Sequence, residues 1–210
     1  MSAQGIAAVL PRQVPSQEAE AAVTRVNRTY ALGVDIGARQ SAPVSRLGGT
    51  RGVLLEDPRH HLLLPHLTAI AEEFSRNLLI VVSAPLVPVT HPLMHHLWVD
   101  AELQAEGHWA GHTDAWRKWH GVRLTDCIEY HPLMAFVEAR NAIMHGLGQF
   151  TRKQRRKDGG KSVTEQLKRI GLTVSGLKIS LPPAAARRCA DTSIGFILWL
   201  DLQVQSRGLL

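Results

Sequence analysis

Residues Pro132 to Gly148 read PLMAFVEARNAIMHGLG. Proline favours the first turn of a helix and glycine follows its end, so these bounds predict a helix over about 132–149. At roughly 100° per residue, its apolar side chains fall on one narrow stripe. These residues are Leu133, Phe136, Val137, Met144 and Leu147. The stripe predicts a helix with one buried face, packed against other helices.

Arg140 lies in the middle of that stripe, and an arginine there is costly to bury unless it is paired or holds a ligand. Asn141 and His145 are four positions apart and face the same way, and Glu138 aligns with His145 two turns earlier. Arg140 and His145 point about 140° apart, so one chain does not join them into a compact site. A simple alternative is a core arginine that reaches water beside a surface histidine.

A second copy of the helix changes that geometry. If two copies meet along the apolar stripe, each arginine approaches the polar flank of its partner. A two-fold interface then gathers two arginines, two asparagines and two histidines in one cleft. This hypothesis predicts a homodimer through the 132–149 helix, with a composite site at the interface.

The remaining hydrophobic spacing predicts an all-α chain. Apolar residues recur every three or four positions from Leu63 to Leu78, and Ser16 is a candidate cap for a helix over about 17–32. Glycine and proline over 33–58 indicate a long loop or linker. Further helices are expected over about 92–106 and over about 183–205, with an extended segment at 177–181. Between them, Thr113 or Asp114 is the expected cap of a short helix with Trp116 and Trp119, and Ser162 is the expected cap of a helix that ends before Gly171. We therefore expect an up-and-down bundle of four to five helices over 59–210, preceded by a partly irregular N-terminal extension over 1–58.

Composition excludes several classes of protein. With 210 residues, 45% hydrophobic, the chain has the size and apolar content of an ordinary globular domain. Cys127 and Cys189 are too few for a disulfide scaffold or a four-cysteine zinc site. The longest apolar stretch, 78–89, contains two prolines and is too short to cross a bilayer. We expect a cytoplasmic protein without a membrane partner.

Positive charge is concentrated in the second half of the chain. Residues 1–105 hold 8 basic and 9 acidic residues, whereas residues 106–210 hold 16 basic and 9 acidic residues. Many of these bases crowd into one short run after the 132–149 helix. They are Arg152, Lys153, Arg155, Arg156, Lys157 and Lys161. Such a run attracts polyanions through counterion release, and the alternative is a solvated linker.

Three other kinds of site are rejected. The stretch Gly160–Ser162 is like the end of a phosphate-binding loop, but the first glycine of that motif would fall at Arg155. Two histidine pairs have the spacing of metal ligands, but no carboxylate or cysteine completes either set. These pairs are His91 with His95, and His108 with His112. Cys127 is more typical of a packed core thiol than of a nucleophile. We expect neither a metal nor another cofactor.

The stretch EARNAIMHGLG resembles the signature of the HEPN superfamily, the higher eukaryotes and prokaryotes nucleotide-binding domain. That signature has an arginine, a polar residue and then a histidine, which Arg140, Asn141 and His145 match. The flanks are similar to those of RiboL-PSP-type members: a tryptophan-containing helix comes before, and the segment ISLPP and a terminal helix come after. The resemblance covers about residues 60–210.

The resemblance implies a bundle that dimerises through the motif helix and, in most active members, a metal-independent endoribonuclease. In that chemistry the RNA 2′-OH attacks the adjacent phosphorus and leaves a 2′,3′-cyclic phosphate. His145 would act as general base or acid, Arg140 would hold the phosphate, and Asn141 would orient it. Glu138 lies outside the family pattern and is a candidate orienting residue, while the basic run would follow the RNA backbone.

This resemblance also implies a biological setting: a toxin or phage-defence effector, with an antitoxin or defence-system protein as partner. The alternative is a non-catalytic HEPN module that serves dimerisation or binds a nucleotide or a partner protein.

Overall fold

A computed structural model of the chain describes residues 14–40, 58–87, 92–156, 158–182 and 184–209. Within these ranges the fold is helical, as predicted, with one small hairpin. The helices are α1 (Gln17–Gln40), α2 (Pro58–Ser83), α3 (Pro92–Gly107), α4 (Trp109–His120), α5 (Tyr130–Gly146), α6 (Arg152–Arg155), α7 (Lys161–Arg169) and α8 (Ala184–Ser206). Strands β1 (Thr173–Ser175) and β2 (Lys178–Ser180) pair antiparallel, with Val174 opposite Ile179. The extended segment expected at 177–181 is therefore one arm of a hairpin.

Helix α2 is the centre of the bundle and packs against α1, α4, α5 and α8. Its predicted stripe is buried along its whole length, from Leu63 to Leu78, and meets Phe136 of α5 and Phe196 of α8 in one core. Each such side chain contributes about 1.5–3 kcal/mol when it leaves water. Although α2 has 26 residues, none of the helices in the described ranges combines the length and apolarity that a membrane span requires.

Helix α1 belongs to this core and does not lie apart from it. It continues to Gln40, well beyond the predicted end near residue 32, and packs against α2 and α8. Ser16 caps it as predicted, because its Oγ accepts a hydrogen bond from the backbone of Ala19 at 3.2 Å. Gly33 permits the close approach to α2, since a Cβ there would lie 2.7 Å from a methyl group of Leu63. Residues 41–57, where a linker is expected, lie outside the described ranges.

Two helices begin earlier than the sequence indicates. Helix α4 begins at Trp109, so Thr113 lies inside the helix and does not cap it. The Thr113 hydroxyl instead donates to the carbonyl of Trp109, one turn earlier, at 2.8 Å. Helix α5 begins at Tyr130, two residues before Pro132. Proline is tolerated there because the first turn of a helix leaves its N–H groups without helical partners.

Candidate functional site

Arg140 points from α5 toward α2 and binds an acidic residue of the same chain. Its Nη1 donates to Oε2 of Glu72 at 2.5 Å, and the two side chains are only 24% and 18% exposed. Arg76, one turn further along α2, donates to the other oxygen of Glu72 at 2.9 Å. Of the two conditions under which an arginine can occupy an apolar stripe, an opposite charge or a bound ligand, the single chain therefore meets the first. An internal carboxylate supplies the charge, which a lone sequence cannot reveal across 68 positions.

The predicted apolar stripe of α5 divides into two parts. Leu133, Phe136 and Val137 are buried within the single chain, where α5 packs against α2, α7 and α8. Met144 and Leu147, beyond Arg140, are 56% and 95% exposed. Only this second part of the stripe is available in the monomer for contact with another molecule.

The opposite side of α5 faces an open cavity of 510 Å³, which we call the α5–α6 pocket. Three of the predicted site residues line it together: Glu138, Asn141 and His145. The other walls come from the segment after α5 and from the start of α7. They are Thr151, Lys153, Gln154, Asp158, Ser162 and Val163. The structure thus joins Asn141 and His145 with one lysine of the basic run, and separates them from Arg140.

One wall of the pocket is fixed by a capping box that was not predicted from the sequence. Thr151 and Gln154 bind each other's backbone at the start of α6, a pattern readable from the Thr-x-x-Gln spacing. The Gln154 amide also donates to the carbonyl and to the carboxylate of Glu138, at 2.8 and 2.7 Å. The Glu138 carboxylate, expected to orient the histidine, therefore anchors α6 to α5.

A second wall is fixed by the start of α7. The predicted cap, Ser162, is wrong: the carboxylate of Asp158 accepts from the backbone of Gly160 at 3.1 Å and of Ser162 at 2.9 Å. Gly160 has φ +89°, and a Cβ there would lie 2.7 Å from the ring of Phe150. Only glycine fits this left-handed turn under an aromatic ring, so the wall has a defined shape.

The basic run lies beside the pocket, and its described members are exposed. These are Arg152, Lys153, Arg155, Arg156 and Lys161. Lys157 lies outside the described residues. The basic run contains one helical turn, α6, whose backbone holds Arg152, Lys153 and Arg155 in place. Lys153 alone among them lines the cavity, whose walls also carry the carboxylates of Glu138 and Asp158.

Two residues from the rejected sites have buried, structural surroundings. His112 Nε2 lies 2.7 Å from the Ser75 hydroxyl, and burial, with the nearby Arg76 charge, lowers the pKa of His112 to about 4. Burial raises the pKa of the Cys127 thiol to about 12. A thiol with so high a pKa is a poor nucleophile near neutral pH. This agrees with the interpretation of Cys127 as a packed core residue.

The α5–α6 pocket combines three groups with complementary chemistry. His145 is exposed at its edge, Asn141 is half-buried in its wall, and Lys153 adds a positive charge. An imidazole transfers protons near neutral pH, an amide donates and accepts hydrogen bonds, and an ammonium binds phosphate. No protein-family model, curated protein or solved structure matches this chain.

Proposed function

We propose that this chain is a metal-independent endoribonuclease of the HEPN type. It cuts RNA by attack of the 2′-OH on the adjacent phosphorus and leaves 2′,3′-cyclic phosphate ends. The observation that carries the proposal is the α5–α6 pocket, where His145 and Asn141 meet Lys153 of the basic run. The positive charges along α6 support RNA as the substrate, because a polyanion gains affinity from each phosphate that a cation neutralises.

His145 takes the central role in this proposal. Its exposed position in the last turn of α5 lets an RNA strand reach it without a change in the fold. The imidazole removes the proton of the 2′-OH or donates one to the leaving 5′-oxygen. Asn141, one turn earlier, orients the phosphate, and Lys153 offsets the charge that builds on its oxygens.

Arg140 requires a partner subunit to take part. Within one chain it faces Glu72, but that bond uses Nη1, and a guanidinium carries five N–H donors. The exposed Met144 and Leu147 continue the stripe beside it and provide an apolar contact for a second copy. In the proposed homodimer, each Arg140 then approaches the α5–α6 pocket of the partner and holds the phosphate there.

The proposed setting is that of an effector in the cytoplasm, a toxin or phage-defence nuclease. Its macromolecular partners are then RNA, a second copy of the chain, and an antitoxin or defence-system protein that restrains it.

The decisive experiment compares the wild type with His145→Ala on total RNA, in EDTA and in magnesium. Removal of a general acid or base is expected to slow cutting by about 10²- to 10⁴-fold. A matched control is His66→Ala, which removes an exposed histidine from α2, where it binds the local carbonyl of Leu62. The wild type and the control should give 2′,3′-cyclic phosphate ends under both conditions.

A second candidate function is the non-catalytic HEPN module. The observation that favours it is the ion pair of Arg140 with Glu72, on the side of α5 away from His145. A module of this kind would leave RNA intact in both the wild type and His145→Ala, while still forming a dimer or binding its ligand. Cleavage that depends on His145 excludes it.

A further inference from the structure

A second pocket, of 350 Å³, lies further along α5, which we call the α5–α7 pocket. It lies between the first turns of α5 and the last turn of α7. Its walls include His131, Met134, Ala135, Gln166, Arg169 and Ile170. None of these residues has a role in the activity proposed above.

The two pockets share one face of α5. His131, Met134, Glu138, Asn141 and His145 are spaced by three or four positions, so they form a single stripe on the helix surface. Helix α7 runs alongside in the opposite direction: its beginning borders the pocket at His145 and its end borders the pocket at His131. At 1.5 Å per residue, these two histidines are about 21 Å apart along α5. The two pockets thus lie on one face of α5, at the two ends of its border with α7.

The lining of the α5–α7 pocket suits a nucleotide. Arg169 is exposed and offers a planar fork of donors that matches a phosphate. Gln166 supplies an amide that both donates and accepts, as the edge of a base requires. Pro132 and Met134, both half-buried, add an apolar surface on which a base can lie. The described residues that line this pocket include no acid, in contrast to the neighbouring pocket with its two carboxylates.

We propose that the α5–α7 pocket binds a nucleotide that flanks the cleavage position of a single-stranded RNA. The identity of the ligand rests on the proposed function, since the same strand places its scissile phosphate at His145. A separation of about 21 Å exceeds the ~3.4 Å rise per nucleotide of a helical strand, so the two pockets hold different nucleotides. A single strand fits because its unstacked bases enter pockets that paired bases do not reach.

A binding experiment tests this site apart from catalysis. Fluorescence anisotropy measures the affinity of a 2′-O-methyl octaribonucleotide, which has no free 2′-OH and is not cut, and of a dinucleotide of the same chemistry. We expect Arg169→Ala to weaken octamer binding about tenfold, and to weaken dinucleotide binding less, because a dinucleotide can also bind at the α5–α6 pocket. The slope of log affinity against log salt should become shallower by ~0.7, as expected when one phosphate of a single strand is no longer neutralised.

The matched control is Lys168→Ala, because Lys168 is the preceding residue of α7, carries the same charge and is equally exposed, but does not line the pocket. If octamer affinity is unchanged in Arg169→Ala, or falls equally in both variants, the α5–α7 pocket is not a nucleotide site beside the cleavage position. Cutting by the wild type would still uphold the nuclease. Binding that depends on Arg169 without any cutting refutes the nuclease and leaves the binding site standing. If the wild type binds neither oligonucleotide, the flanking site is overturned, and RNA cutting by the wild type decides the nuclease separately.

Discussion

Arg140 of α5 and Glu72 of α2 form an ion pair across the bundle, with 2.5 Å between Nη1 and Oε2. The pair explains how an arginine occupies the centre of an apolar stripe, because a partly buried charge is stable when an opposite charge and a hydrogen bond accompany it. The position of this pair also distinguishes two sides of α5. One side of the helix holds the bundle together, and the other side lines the α5–α6 pocket with Asn141 and His145.

Loss of the Glu72 carboxylate is expected to destabilise the fold. In Glu72→Gln, both Arg140 and Arg76 lose their anionic partner at a position with little access to water. We expect the free energy of unfolding in urea to fall by about 1–3 kcal/mol. The neighbouring Glu73→Gln is the control, because Glu73 pairs with Arg25 on the surface, where such a pair contributes about 0–1 kcal/mol. Equal decreases in the free energy of unfolding for the two variants would show that the Glu72–Arg140 pair stabilises the fold no more than a surface pair does.

Substitutions at Arg140 and Arg76 separate a structural role of Arg140 from a catalytic one. Under the proposed function, Arg140→Ala abolishes RNA cutting while the dimer, measured by light scattering, is largely kept. Arg76→Ala removes the other guanidinium bound to Glu72 and should retain cutting. If Arg140→Ala cuts at the wild-type rate, or if it is inactive only because it is monomeric or unfolded, Arg140 does not hold the phosphate.

Acid should destabilise the protein through His112. Its pKa is lowered to about 4 in the folded chain, whereas an imidazole in the unfolded chain titrates near 6.5. The unfolded state therefore binds more protons between these values, and stability that is complete above pH ~6.5 is lost as the pH falls toward 4. At pH 5 the expected loss is about 2 kcal/mol relative to pH 7. Burial lowers the pKa of His120 as well, which acts in the same direction.

Urea unfolding at pH 7 and pH 5 measures this loss. Protonation at Nε2 would remove the acceptor that faces the Ser75 hydroxyl and the Trp116 indole N–H. His112→Gln cannot take up a proton there, so its stability should depend less on pH between 5 and 7, even if it is lower overall. A variant as acid-sensitive as the wild type would place the sensitivity elsewhere.

Both cysteines should be unreactive in the folded protein. Burial raises the pKa of Cys127 to about 12 and also raises that of Cys189, so thiolate is scarce near neutral pH. We expect no reaction with a thiol reagent at pH 8 until denaturant is added, after which two thiols react. Cys127→Ser should cut RNA as the wild type does. Fast native labelling, or inactivity of this variant in a folded state, would reopen the question of a thiol nucleophile.

The basic run on and around α6 should determine the salt dependence of RNA binding. Replacing Arg152, Lys153, Arg155 and Arg156 with glutamine is expected to weaken binding and to flatten the salt dependence by ~0.7 for each phosphate that is no longer neutralised. The control replaces Arg117 and Lys118, two exposed cations of α4 that pair with Asp114. Unchanged affinity in the first variant would return this segment to the status of a linker.

Local pattern accounts for the features that the sequence predicts well. The buried stripe of α2 and the existence of α5 follow from apolar residues spaced three or four positions apart. That spacing is a local property of the sequence and can be read without knowledge of distant contacts. The bounds are less accurate, because α1 continues to Gln40 and α4 begins before its expected cap. Helix α1 packs against α2 and α8, and within its extension Gly33 lies close to Leu63 of α2, a contact between helices that no local signal contains.

Residue types and their spacing predict a helical protein with its positive charge after α5. The same spacing places Asn141 and His145 on one face, because residues four apart are neighbours on a helix. Packing between helices, in contrast, pairs Arg140 with Glu72, binds Gln154 of α6 to Glu138 and brings Lys153 into the pocket of His145. Those interactions link residues of different helices. Their partners depend on how the helices pack, which the period of any single helix leaves open.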